Sequence, residues 1–129
     1  NKVWPYFNRL IKEIKNIYGG KYNIVVAPGP NEITMAKKLN VKVILNKEVP
    51  LNLMELVGFI KGASYIISND TGPAHISAHL NKKGLVLFGS HTSAKKVSLQ
   101  GKNFKSIEVK NLKDLEVSTV IEKIKVDLN

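Results

Sequence analysis

Short apolar runs alternate with amphipathic helical stretches along the whole chain. That alternation fits a parallel sheet layered with helices and little else. Apolar residues recur at helical spacing from Pro5 to Tyr18 (Phe7, Leu10, Ile11, Ile14, Ile17), and Gly19-Gly20 ends the run. Tyr22–Ala27 is a β-branched run that reads as a buried strand. Asn31 is placed to cap a helix reaching Leu39, and Val41–Leu45 reads as the next strand. A helix follows over Leu51–Gly62, with Leu53, Leu56, Val57 and Ile60 on one face. The rest reads as strand Tyr65–Ser68, helix Ala74–Leu80, strand Leu85–Phe88, a polar stretch over 89–103, strand Ser106–Val109 and helix Val117–Ile124. Continuous apolar strands require a sheet covered on both faces. Ligands of such sheets sit at the carboxyl ends of the strands, which directs attention to the loops after Ala27, Ser68 and Phe88.

Composition narrows the function classes. The 129 residues suit one domain with a real core. There is no cysteine, so neither a disulfide framework nor a thiolate metal site arises. No apolar run approaches the ~20 residues of a membrane helix. The chain opens on Asn1 rather than Met, which reads as a piece of a longer protein. A net charge of +10 favours anionic partners. The surplus is scattered lysine, and Arg9 is the lone arginine, whereas sequence-specific DNA readers lean on arginine. Lysine filling exposed positions accounts for most of that charge; nucleic acid is not an expected partner, and a basic nucleic-acid-binding domain stands only as a remote alternative.

The chemistry concentrates in the run from Tyr65 to His75, where a strand passes through Asn69-Asp70-Thr71-Gly72 into a helix. Free N–H groups and the helix dipole favour a phosphate at such a place. Thr71 adds a hydroxyl, and Gly72 lets a ligand approach the backbone. Asp70 would repel a phosphate, so sugar hydroxyls suit it better. His75 falls in the first helical turn. The bland alternatives are that Asp70 or Thr71 merely caps the helix and that His75 is packed. Glu32, early in its helix, is suited to a ribose or is simply a dipole-stabilised helix-start carboxylate. Lys2 is suited to neutralising a diphosphate or is one more surface lysine. Trp4 reads as a packing residue ahead of a base-stacking platform. Gly89-Ser90-His91-Thr92-Ser93 is a weaker candidate for framing the site.

Taken in order, Lys2-x-Trp4-Pro5, Gly29-x-x-Glu32, Asn69-Asp70-Thr71-Gly72-Pro73-x-His75 and Leu87-Phe88-Gly89 resemble the C-terminal half of the heptosyltransferase-type (family nine) glycosyltransferases. The stretch Leu112–Val120 is similar to that family's closing helix entry. The resemblance implies a Rossmann-like, doubly wound α/β sheet forming the sugar-nucleotide-binding half of a two-domain GT-B enzyme, with residues 1–129 as one domain and the N-terminal acceptor domain absent. It implies an inverting transfer of heptose from ADP-heptose to a lipopolysaccharide core sugar, with no cofactor and no tightly held metal. The setting would be the cytoplasm, at the inner face of the inner membrane, with peripheral membrane association of the parent. Lys2 would meet the diphosphate, Glu32 the nucleoside ribose and Asp70 the donor sugar. Thr71 and Gly72 would belong to the phosphate site, with His75 completing the motif. No catalytic residue is expected here, because the family's carboxylate base lies in the other domain. The loop after Phe88 departs from the family's Gly-Pro-Thr, which leaves the donor sugar open.

Two other classes are weighed. Asp70-Thr71-Gly72 is also the core triplet of aspartic proteases, but those are nearly all β, and here strand and helix alternate. A non-catalytic nucleotide-binding or assembly module of the same fold would share every motif above. The resemblance also places a strand just ahead of Lys2, so the central strand of a 3-2-1-4-5-6 sheet would be missing. Unpaired buried edges are costly. The expectation is therefore that Tyr22–Ala27 and Tyr65–Ser68 close up and pair, or that a second copy donates a strand.

Overall fold

In a computed structural model, which describes residues 3–69, 71–89 and 103–128, the chain alternates strand and helix as the pattern predicts. Helix α1 spans Phe7–Tyr18 and buries Leu10, Ile11 and Ile14, the three- and four-residue spacing of one face. It stops at Gly19, whose positive φ of 60° few other residues tolerate and whose N–H donates to the Lys15 carbonyl at 2.9 Å. Strand β1 (Val25–Val26), helix α2 (Ile33–Lys37), strand β2 (Lys42–Val43) and helix α3 (Leu53–Lys61) follow. Then come β3 (Ile66–Asn69), α4 (Gly72–His79), β4 (Gly84–Phe88), β5 (Phe104–Glu108), a 3-10 turn at Leu112–Asp114 and α5 (Val117–Leu128).

Strands β3, β4 and β5 form a parallel sheet in that order, with β4 buried throughout. Successive side chains of β4 point to opposite faces. Leu85 and Leu87 join Trp4, Leu10 and Ile14 of the amino-terminal segment and Val120, Ile121 and Ile124 of α5. Val86 and Phe88 join Ala74 of α4 and Phe104 of β5. The sheet is thus covered on both sides. Gly84, at the start of β4, has no room for a Cβ: one there would collide with the Ile66 carbonyl and lie 2.7 Å from Cε1 of Phe104.

Local boundaries depart from the sequence reading where a strand lacks a neighbour or a cap has a competitor. Strands β1 and β2 shrink to two residue pairs, Val25 with Lys42 and Val26 with Val43, and Val25 and Val26 are half-buried rather than buried. Helix α2 is five residues long; Asn31 does not cap it, and Glu32 stands at the cap position. Helix α3 is capped by Asn52 in a reciprocal capping box with Glu55. Leu53, expected on the buried face, is 67% exposed because the core ends below the first turn of α3. Strands β4 and β5 begin one and two residues earlier than expected, and α5 runs on to Leu128.

The largest correction concerns the sheet. The β1–β2 pair and the β3–β4–β5 sheet are separate, and β1 and β3 are not hydrogen-bonded to each other. The expected direct closure does not occur. That expectation assumed fully buried edges. Instead Ile24 to Ala27 and Ile66 to Ser68 are half-buried, so water reaches these strands and the penalty for unpaired backbone groups falls.

At the end of the sheet opposite the strand-to-helix loops, Asp127 of α5 holds Lys105 of β5 together with Tyr65 and Lys83, the residues just before β3 and β4. Asp127 receives Lys105 Nζ at 2.7 Å and the Tyr65 hydroxyl at 2.9 Å, while Lys83 Nζ reaches its carbonyl at 3.3 Å. Burial opposes ionisation of Asp127, but the hydrogen bonds from Lys105 and Tyr65 outweigh it and hold the carboxyl below the usual range. Burial, then the bond to Asp127, pushes the Tyr65 hydroxyl up. A carboxyl whose folded pKa is depressed stabilises above its unfolded value of about 4 and loses that contribution as pH falls through the folded value. Thermal melts of wild type and Asp127→Asn should therefore differ at neutral pH and converge as pH drops below about 4. A constant difference across that range would show that Asp127 acts by packing alone.

Candidate functional site

The loop between β3 and α4 is built from the strand end upward. Asn69 closes β3 and is buried. Its Oδ1 accepts the backbone N–H of Trp4 at 3.0 Å, and its carbonyl accepts the Ser68 hydroxyl at 2.7 Å and the Thr71 hydroxyl at 3.4 Å. Trp4 is itself fixed, with Nε1 donating to the Leu115 carbonyl at 2.9 Å and its ring edge-on to Tyr6 and Phe7. Asn69 therefore joins two segments 65 residues apart, and the amino-terminal segment enters α1 at the carboxyl end of β3. Trp4 is 1% exposed, so packing is its role and base stacking is excluded.

Thr71 occupies the cap position of α4 in an extended conformation, yet its side chain makes no capping bond. The hydroxyl turns back toward Asn69 and Ser68, and the backbone carbonyl of Thr71 receives Ala74 N–H at 3.0 Å and His75 N–H at 3.4 Å. Side-chain capping by Thr71, one of the bland alternatives, is thus not what the structure holds. Gly72 is exposed, and a Cβ added there would meet nothing within 4 Å among the described residues. Packing gives no reason for a glycine at that position; a close-approaching ligand would. Pro73 supplies the helical φ without an N–H, and Ser77 Oγ donates to the Pro73 carbonyl at 2.7 Å, firming the first turn. His75 is exposed in that turn, so it is not a packed histidine.

Glu32 lies in the other loop, after β1. Its Oε1 accepts the Gly29 N–H at 2.8 Å, and a Cβ on Gly29 would stand 3.0 Å from that oxygen. The carboxylate is half-buried and held from one side, with Oε2 making no hydrogen bond among the described residues. A carboxylate fixed through one oxygen can offer the other to a pair of hydroxyls. This loop and the Thr71–His75 loop follow strands of different sheets, and no hydrogen bond joins them among the described residues. Lys2 and Asp70, both expected here, lie outside the described residues, as do Ser90, His91, Thr92 and Ser93. Gly89 is buried at the end of β4.

The residue that sequence reasoning missed is Asn69. It stood inside the motif without a role. The available signal was a polar side chain closing an otherwise apolar strand immediately before a polar loop, where an amide can hold backbone from elsewhere.

The sequence model of glycosyltransferase family 9 (heptosyltransferase) matches residues 1–124. Two solved structures of the E. coli heptosyltransferase WaaC share this fold at 24% identity. The one with ADP superposes with a TM-score of 0.84, covering 98% of this chain and 40% of that one. The one with ADP-2-deoxy-2-fluoro heptose gives a TM-score of 0.80, with 98% and 39% covered. The chain therefore spans about 40% of the length of the solved structures it matches. No curated protein matches the chain.

Proposed function

Because this chain belongs to glycosyltransferase family 9, the heptosyltransferase family, we propose that it is the donor-binding domain of an inverting transferase that moves heptose, or a related sugar, from ADP-heptose to a lipopolysaccharide core acceptor. Residues 1–129 are one sugar-nucleotide-binding domain of a longer parent, which meets its acceptor at the inner face of the cytoplasmic membrane. The observation that carries the reading is the uncovered start of α4. Thr71 turns its hydroxyl inward, Gly72 leaves the backbone open, and His75 stands exposed beside it. That arrangement offers N–H donors and a positive dipole end to a diphosphate. The WaaC structures solved with ADP and with an ADP-heptose analogue are consistent with such a ligand.

In the reaction the acceptor oxygen attacks the anomeric carbon as the bond to the diphosphate breaks, and the configuration inverts. This domain's part is to hold the departing diphosphate. Lys2 neutralises its charge, the Thr71–Gly72 start of α4 receives its oxygens, and His75 lies on the leaving-group side. Glu32 Oε2 takes the ribose hydroxyls and Asp70 orients the transferred sugar. The acceptor's proton must go to a base within hydrogen-bonding reach, which the acceptor domain supplies, so this chain alone transfers no sugar.

Titration of ADP into the chain, followed by NMR, tests the assignment. Binding is expected between ~mM and high µM, because half of a two-domain cleft must offset the whole association cost. Shifts should cluster on residues 69 to 75 and on Glu32. Shifts confined elsewhere would remove the site.

A further inference from the structure

The exposed face of α4 carries two side chains of one chemistry. Of the three histidines in the chain, His75 and His79 lie four residues apart on this helix. In an α-helix that spacing sets two Cβ atoms about 5–6 Å apart on the same face, one turn above the other. Both histidines are exposed, while Ala74 and Ser77 of the same helix are buried. The backbone that carries them is fixed. Thr71 O accepts the His75 N–H, Ser77 Oγ donates to the Pro73 carbonyl at 2.7 Å, and the Leu80 N–H closes the last turn on the Ile76 carbonyl at 2.9 Å. Lys82 and Lys83, which follow the helix, give their ammonium groups to the carbonyls of Lys61 and Asp127.

Neither packing nor pairing accounts for the two rings. Both face water, and α4 contains no carboxylate that could hold either in an ion pair along the helix. Two imidazoles on adjacent turns are, however, a chelate for a divalent ion. Neutral imidazole nitrogen suits zinc, nickel and copper, whereas magnesium and calcium prefer sets of oxygens. Metal–nitrogen bonds of about 2.0–2.1 Å let both rings reach one ion from neighbouring turns. No group of three or more His, Cys, Asp or Glu placed to hold an ion occurs among the described residues. The helix therefore supplies two ligands and leaves the other positions to water, which makes the site open and exchangeable rather than a closed structural centre.

We propose that His75 and His79 form a two-point binding site for a borderline divalent transition-metal ion (zinc, nickel or copper) on the exposed face of α4. The site goes beyond the donor-nucleotide reading and shares only His75 with it. Metal titration without nucleotide tests the histidine pair by itself. Its failure would leave the ADP assignment standing, and loss of the ADP assignment would leave the metal pair standing.

The test is isothermal titration of zinc, and separately of nickel, into the full-length protein prepared without a histidine tag. It is run at about pH 7.5, where imidazole is mostly neutral and free to bind a metal. His75→Ala, His79→Ala and the double variant are titrated in parallel, so that sites elsewhere in the protein cancel. Wild type should bind one ion more than the double variant. Each alanine variant should weaken that site at least about tenfold, because the second imidazole joins as an intramolecular ligand at high effective concentration. His79→Gln, which keeps a polar side chain at an exposed helical position, should lose the site as His79→Ala does. In NMR spectra zinc should move the imidazole signals of His75 and His79 together, and magnesium should move neither. With a chelator present, His79→Ala should bind ADP as wild type does. Equal zinc affinity in wild type and both His79 variants would overturn the proposal, as would a response of one imidazole alone. An equal response to magnesium would overturn it too.

Discussion

Replacing Trp4 by alanine should destabilise the domain by ~3–5 kcal/mol, the range for removing a buried tryptophan or phenylalanine from a core. A single domain has only about 5–15 kcal/mol in total, so the melting temperature should fall by roughly 10–20 °C. The ring is 1% exposed, fills the cluster between α1, α5 and β4, and bonds to the Leu115 carbonyl. Trp4→Phe separates the parts. It keeps most of the apolar volume but leaves that carbonyl without its donor, at a cost of about 1–3 kcal/mol. Chemical or thermal unfolding measures both. A melting temperature unchanged in Trp4→Ala, with ADP binding lost, would return Trp4 to the role of a base platform. The structure argues against that, because no face of the ring is open.

The second large effect is expected in catalysis. Asp70→Ala in the full-length enzyme should lower turnover about 10- to 150-fold, equivalent to the ~1.5–3 kcal/mol of a hydrogen bond to a charged group. Its neighbours support a ligand role. Asn69 is buried and bonded to Trp4, Thr71 is turned inward, and the first N–H groups of α4 that find a partner find the Thr71 carbonyl. The Ala74 and His75 N–H groups are held by the Thr71 carbonyl, so loss of the Asp70 side chain should change the melting temperature little. A large fall in melting temperature with turnover intact would make Asp70 a structural cap. Measuring both on one preparation separates the outcomes.

These two residues mark different limits of sequence reading. Trp4 could be read as a packing residue from its place before an amphipathic helix, but its two hydrogen bonds could not. Its partners lie 65 and 111 residues away, and sequence spacing carries no information about such contacts. Thr71 at a helix start suggested a cap by composition, and the structure gives its hydroxyl to Ser68 and Asn69. The rotamer chose between two local partners, a choice that residue type does not encode. Leu53 followed the helical period correctly and still lies outside the core, because periodicity defines a face of a helix and not how far the core extends along it.

By itself the sequence determined the class of fold and the order of its elements. Those follow from local physics: β-branched runs extend, spaced apolar residues make a helical face, and glycine and proline mark the turns. Only the tertiary structure decided that the sheet is divided between β1 and β3, that Asn69 ties the amino-terminal segment to the site loop, and that Glu32 is held through one oxygen by Gly29. Each depends on which groups water still reaches once the chain has folded, and that is a property of neighbours in space rather than neighbours in sequence.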